Sequence, residues 1–243
     1  MHKSLYDLGF LNREFFAAVG PFNPQLLKLT CCDPRMSSLT HSLPAGQVFN
    51  PRSLGANVPK NLSTDSCLMD QLCLADLKGV RNFLIAPHSD CLAAEIALLY
   101  PHQSGLPKDI HPNNYNHLHS KVEMVGANLR MLSEECWDEA RQISVTGNMK
   151  ELLPVAKGLM ANQISVTGNM KELLPIAKGL MAKKLSIISF ENFKGLKVLD
   201  DQTRTIGDAM KSGDAQAAVV YIDLDNRRFE RLNHDTLEFS PIN

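Results

Sequence analysis

Neither sign of charge dominates this chain: 25 Lys and Arg stand against 26 Asp and Glu over 243 residues, a formal net charge of −1. No basic stripe interleaved with aromatics occurs, so the usual footprint of a nucleic-acid surface is missing and no nucleic acid is expected as a partner. Long apolar runs are also absent. Charge interrupts each one well before the ~20 residues that a bilayer-spanning helix requires, and no membrane association is expected. The opening segment carries Asp7, Arg13 and Glu14 where a secretory leader needs an apolar stretch, which makes the cytoplasm the expected location. Regular cysteine spacing is lacking too. Six cysteines scattered over a chain of this size argue for reduced thiols, some of them metal-bound, and against a disulfide framework.

What the chain does contain is chemistry at two short motifs. Cys31-Cys32-Asp33-Pro34-Arg35 follows the apolar run Leu26-Leu27-Lys28-Leu29-Thr30, and His88-Ser89-Asp90-Cys91 follows Phe83-Leu84-Ile85-Ala86. Two thiolates and an imidazole can hold a zinc ion. A catalytic zinc site keeps three protein ligands and leaves one position open, whereas structural sites close all four, and Cys31, His88 and Cys91 make three. Asp33 and Arg35 are two residues apart, which in an extended segment places them on one side of the chain within reach of a bidentate ion pair. An Asp held this way stays ionised and can orient a nucleophile.

The surrounding pattern is strand, helix, strand, helix. A short helix is expected over Leu8 to Val19, a strand before Cys31, a strand leading into a Gly-containing loop over Gly46 to Asn57, a helix from about Ser66 to Leu77, a strand before His88, and an apolar helix from Cys91 to Tyr100. This order implies an α/β fold with a central, mostly parallel β-sheet flanked by helices, in one domain spanning 1–243. Ligands at the carboxyl ends of neighbouring strands occupy the place where open α/β sheets put their sites.

Read as Cys-x-Asp-x-Arg followed by His-x-x-Cys, the two motifs resemble the β-class carbonic anhydrases. Supporting stretches are Asn12-Arg13-Glu14-Phe15-Phe16, Gly46 through Asn57, and Thr205 through Gly213 followed by Ala218 through Leu224, which is similar to that family's last helix and strand. The resemblance implies zinc on Cys31, His88 and Cys91, Asp33 and Arg35 as the catalytic pair, reversible hydration of CO₂ to bicarbonate by zinc-bound hydroxide, and a homodimer or a multiple of one. Relatives with the same ligands hydrolyse carbonyl sulfide or carbon disulfide, and a non-catalytic zinc-binding assembly protein is a third reading. Leu92 stands where the family typically has Gly, and Phe22 where many members carry a substrate-binding Gln.

The oddest feature is a repeat. Gln142 to Asn162 recurs as Gln163 to Lys183 with two changes, Val155 to Ile176 and Asn162 to Lys183. Two copies are too few for a solenoid. Two short helices are expected, one packed and the other projecting, so that 142–183 reads as a duplicated helical insertion. Among the remaining metal-binding residue types, His111, His117 and His119 are expected on a polar surface loop, Cys67, Cys73 and Cys136 as core thiols, and Cys32 turned into the core opposite Cys31.

Overall fold

Strand β1 (Leu26–Cys31) sends Leu27 and Leu29 to one face of a sheet and Lys28 and Thr30 to the other, and all four are buried. Burial on both faces marks a strand covered by two layers. The computed structural model describes residues 22–37, 46–62, 67–99, 112–152, 170–200 and 202–242. Within them, β4 (Asn82–Ala86) lies parallel to β1 with Leu29 opposite Ile85, and β7 (Gln216–Asp223) lies parallel to β4. The short strands β2 (Val48–Phe49) and β3 (Arg52–Ser53) both run parallel to β1, where one strand was expected. Beyond β7 the sheet turns antiparallel through β8 (Arg228–Leu232) and β9 (Phe239–Pro241), giving the order β2-β1-β4-β7-β8-β9. A separate ribbon pairs β5 (Lys197–Leu199) with β6 (Arg204–Thr205). The fold is α/β with a mostly parallel central sheet.

Two buried clusters cover the sheet. On β4, Ala86 and Leu84 join one while Phe83 and Ile85 join the other, so they lie on opposite faces. The first is built on α2 (Leu92–Leu99), α3 (Pro112–Glu123) and α4 (Leu129–Leu152), with Ile96, Leu98, Val122 and Trp137. The second uses α1 (Cys67–Leu77) and α6 (Ile206–Lys211), with Leu72 and Ile206. Helix α5 (Met170–Lys194) serves both, placing Leu173, Ala177 and Met181 in the first and Phe190 and Phe193 in the second. Phe193 meets the Phe83 ring edge-on at 5.3 Å. Each of these fully buried rings contributes about 1.5–3 kcal/mol of transfer free energy, which is what fixes α5 against the sheet.

Several expectations need correction. The repeat does not give two short helices: the described part of the first copy extends α4, and that of the second opens α5. Upstream packing of Cys136, Trp137 and Ala140 holds α4, and downstream packing of Leu185, Phe190 and Phe193 holds α5, so tertiary contacts override the local stop signals. Among described residues the second copy is the packed one, whereas Gln142 and Ile143 of the first are exposed. His117 and His119 lie on α3 instead of a loop, with His119 buried and 3.5 Å from Glu123. Cys136 is a core thiol as expected, but Cys67 is exposed on the first turn of α1. The expected helix over Leu8 to Val19 lies outside the described residues, as does His111.

Candidate metal centre

Three segments converge at the carboxyl ends of β1 and β4. Cys31 is the last residue of β1, and His88 follows β4 across Pro87. The His88 segment is sewn to β7: Ser89 N–H donates to the Ile222 carbonyl at 2.9 Å, Ile222 N–H to the Pro87 carbonyl at 3.0 Å, and Leu224 N–H to Ser89 Oγ at 2.8 Å. Asp90 takes a positive φ of 53°, a conformation Asp tolerates better than most residues, and this turn delivers Cys91 to the start of α2. On the other side, Gly55 at φ 74° brings its N–H to Cys31 Sγ at 3.3 Å, and a Cβ there would sit 2.8 Å from that of Ala93. Only glycine allows this approach.

Cys31, His88 and Cys91 are all buried, and their ligand atoms lie within 4.8 Å of one another. The two sulfurs are 3.9 Å apart. A tetrahedral ion with metal–sulfur bonds of about 2.3 Å separates its thiolates by about 3.8 Å, so the spacing suits zinc. The imidazole is oriented for the same task. Its Nδ1 lies 2.5 Å from the Ser89 carbonyl, which can only accept, so Nδ1 carries the hydrogen and Nε2 presents a bare lone pair. Nε2 is buried without a hydrogen-bond partner. A buried lone pair left unmatched beside two thiols is costly unless something binds it.

Charge at the sulfurs points the same way. The Cys31 thiol is pulled down to about 4, first by the Cys91 thiol that donates to it and further by the neighbouring His88 ring and the N–H groups of Asp33 and Gly55, against the opposing effect of burial. Cys91 moves in the opposite direction because it is the donor in that pair and is buried beside a thiolate. A divalent cation removes this conflict, since it stabilises both thiolates at once.

Asp33 and Arg35 form the expected pair, though by a different route. The chain is not extended there but turns into a 3-10 helix over Pro34–Ser37. Arg35 Nη2 donates to Asp33 Oδ2 at 2.6 Å and Nε to Oδ1 at 3.0 Å, while Arg35 N–H closes the turn onto Oδ1 at 2.9 Å. These bonds, with the Arg35 guanidinium foremost, bring the Asp33 carboxyl down to about 2. Asp33 Oδ2 stands 3.9 Å from His88 Nε2, which places the carboxylate at the edge of the trio.

The same turn explains why Cys32 is exposed and not in the core: β1 ends at Cys31, so the alternation that would bury the next side chain no longer applies. Leu92, the first residue of α2, is 41% exposed. Phe22 is 60% exposed and rests edge-on against Phe49. Sequence reasoning missed the partners beyond Arg35. Its Nη1 donates to Asp90 Oδ2 at 3.2 Å, and Asp90 Oδ1 accepts from Lys178 Nζ at 2.8 Å. The sole advance signal for Lys178 was a cation inside the otherwise apolar Ile176-Ala177-Lys178-Gly179-Leu180-Met181.

No protein-family model and no curated protein sequence matches the chain. Solved structures do. The β-carbonic anhydrase CcaA superposes with a TM-score of 0.55 at 14% identity, covering 98% of this chain and 86% of that one. The chain has the β-carbonic anhydrase fold. The Coccomyxa β-carbonic anhydrase solved with acetazolamide gives a TM-score of 0.52 at 17% identity over 98% of this chain and 82% of that one. The enzyme CafA of Aspergillus fumigatus gives 0.51 at 14% identity, over 87% and 76% respectively. Likeness in fold with so little identity means that the β-carbonic anhydrase scaffold is carried here by a largely different sequence.

Proposed function

We propose that this chain is a zinc-dependent carbonic anhydrase, a carbonate dehydratase that interconverts CO₂ and bicarbonate, with Cys31, His88 and Cys91 holding the metal. The observation that carries the reading is the buried Cys-His-Cys trio with its unpartnered Nε2, beside an ionised carboxylate on the β-carbonic anhydrase scaffold. Zinc bound there supplies a Lewis acid that lowers the pKa of water and so provides a nucleophile near neutral pH.

The chain's own groups do the rest. Cys31 and Cys91 contribute two negative charges, which offset the cation and set the working range toward mildly alkaline pH compared with a three-histidine site. His88 holds its ligand atom in place because the Ser89 carbonyl fixes the ring's tautomer and angle. Asp33, kept ionised by Arg35, accepts a hydrogen bond from the attacking water and turns the free lone pair of its oxygen toward the small, uncharged substrate. Holding that water in one orientation is an entropic contribution to rate. The same reading carries a homodimer and a reducing cytoplasmic compartment that keeps the ligand thiols free.

Carbonyl sulfide or carbon disulfide hydrolysis on the same site is the competing activity, because the ligand set does not distinguish linear triatomic substrates. Initial rates on CO₂ and on carbonyl sulfide, measured on one zinc-loaded preparation, decide between them. Faster turnover of CO₂ is expected; turnover of the sulfur compound with none of CO₂ overturns the assignment.

A further inference from the structure

The carboxylate of Asp90 is shared. One oxygen accepts from Arg35 at 3.2 Å and the other from the Lys178 ammonium at 2.8 Å, while Lys178 also donates to Glu95 Oε2 at 2.6 Å. Charge therefore alternates along Asp33, Arg35, Asp90, Lys178 and Glu95. The outer members are wet, with Arg35 and Asp90 side chains 49% and 50% exposed, but the Lys178 side chain is only 10% exposed. An ammonium buried to that degree is costly unless carboxylates flank it. Burial works against its charge, and Asp90 and Glu95 more than offset it.

We propose that Lys178 is a positioning residue for the Asp33–Arg35 pair, acting through Asp90. The Arg35 guanidinium serves two carboxylates, and at present it favours Asp33, at 2.6 Å, over Asp90, at 3.2 Å. Lys178 sets that preference by drawing the Asp90 carboxylate toward α5. Without the ammonium, Asp90 turns its whole charge on Arg35, competes with Asp33, and loosens the oxygen that orients the attacking water. Glu95 completes the arrangement from α2, the helix that Cys91 leads into, so the clamp ties α5 to both halves of the metal centre. The Lys178 ammonium is bonded to Asp90 and Glu95 and acts on the trio only through them. It belongs to the second copy of the repeat, where Lys157 is its counterpart in the first.

This inference rests on the reading of Asp33 as the water-orienting group, and its test includes a readout that needs no turnover. In the zinc-loaded full-length protein, Lys178→Met keeps its zinc, loses about tenfold in kcat with KM little changed, and is restored by Lys178→Arg, the loss being of the size seen when a partner behind a metal site is removed. The double variant with Asp90→Asn is no worse than Asp90→Asn alone, because both act on one element. Hydrogen exchange by mass spectrometry supplies the independent readout: the peptide over Cys31–Ser37, whose Arg35 N–H is bound to Asp33, exchanges several-fold faster in Lys178→Met while the rest of the sheet does not. A folded Lys178→Met protein with unchanged exchange in that peptide overturns the proposal, as does full additivity with Asp90→Asn. If the wild type hydrates no CO₂, the exchange data still decide whether Lys178 positions the pair. If Lys178→Met does not fold, Lys178→Gln, which keeps a polar, hydrogen-bonding end and loses the charge, carries the same two outcomes.

Discussion

Deleting Gln163–Lys183 joins Asn162 directly to Lys184, and the single remaining copy must then do the work of α5. It is nearly equipped for it: Leu152, Ala156, Lys157 and Met160 step into the places of Leu173, Ala177, Lys178 and Met181. Among the residues of α4 whose burial is described, Ala140 is the last buried one, and Arg141, Gln142 and Ile143 are exposed, so the connection is expected to begin beyond Ala140. Two residues differ. Val155 replaces the partly buried Ile176, a loss of about 0.5–1.5 kcal/mol. Asn162 replaces Lys183, whose ammonium lies 2.5 Å from Glu230 and 4.8 Å from the centre of the Tyr221 ring. The Glu230 side chain is 5% exposed and keeps Arg228 at 3.0 Å, so losing Lys183 costs about 1–2 kcal/mol and not the full price of an unpaired buried carboxylate. Together the two changes amount to about 1.5–3.5 kcal/mol, or roughly 3–14 °C in Tm for a domain of this size. Calorimetry on the zinc-loaded deletion protein measures it, with zinc content expected to stay at wild-type level. Adding Asn162→Lys to the deletion recovers the larger part of the loss. A deletion protein that stays unfolded with Asn162→Lys in place refutes the reasoning, since both copies would then be part of the core.

Asp33→Ala keeps zinc and loses most of its CO₂ hydration, because the carboxylate orients water and is not needed to hold the metal; loss of zinc with unchanged activity per bound ion would give Asp33 a structural role instead. Gly55→Ala forces a side chain into a positive-φ position and against Ala93, destabilising the protein by about 1–3 kcal/mol and weakening zinc retention against a chelator, whereas an unchanged Tm would remove the close approach from the account. Toward a thiol reagent at about pH 8, Cys67 reacts in the native protein, exposed Cys32 reacts more slowly because burial and the neighbouring Cys31 raise its thiol, and Cys136, its thiol pushed up to about 12 by burial, waits for unfolding. Equal rates for Cys136 and Cys67 would contradict the placement of α4.

The site was legible because its parts are local. Each motif spans a few residues after an apolar run, and the sheet brings the two runs side by side, so the motifs, read with the family resemblance, named Cys31, His88 and Cys91, which the structure clusters. Strands β1 and β4 were legible for the same reason, and β7 through its likeness to the family's last strand. What failed were inferences that carried a periodic rule past the end of its element. Cys32 was assigned to the core by strand alternation, and the strand had already ended. Cys67 was assigned by helix amphipathicity, but it sits on the open first turn of α1. His117 and His119 were read as loop from Pro and Asn content, although α3 packs Val122 and His119 inward. Lys178 was out of reach in principle, because its partners Asp90 and Glu95 are 88 and 83 positions away and nothing local couples them.

The most direct test is stopped-flow CO₂ hydration at mildly alkaline pH with zinc quantified in the same sample, for the wild type and for Cys91→Ala. The account predicts one zinc per chain and hydration that scales with zinc content in the wild type, and the loss of both in Cys91→Ala. Full zinc occupancy with no hydration above the uncatalysed rate would contradict the proposed activity, and full occupancy in Cys91→Ala would contradict the metal centre itself.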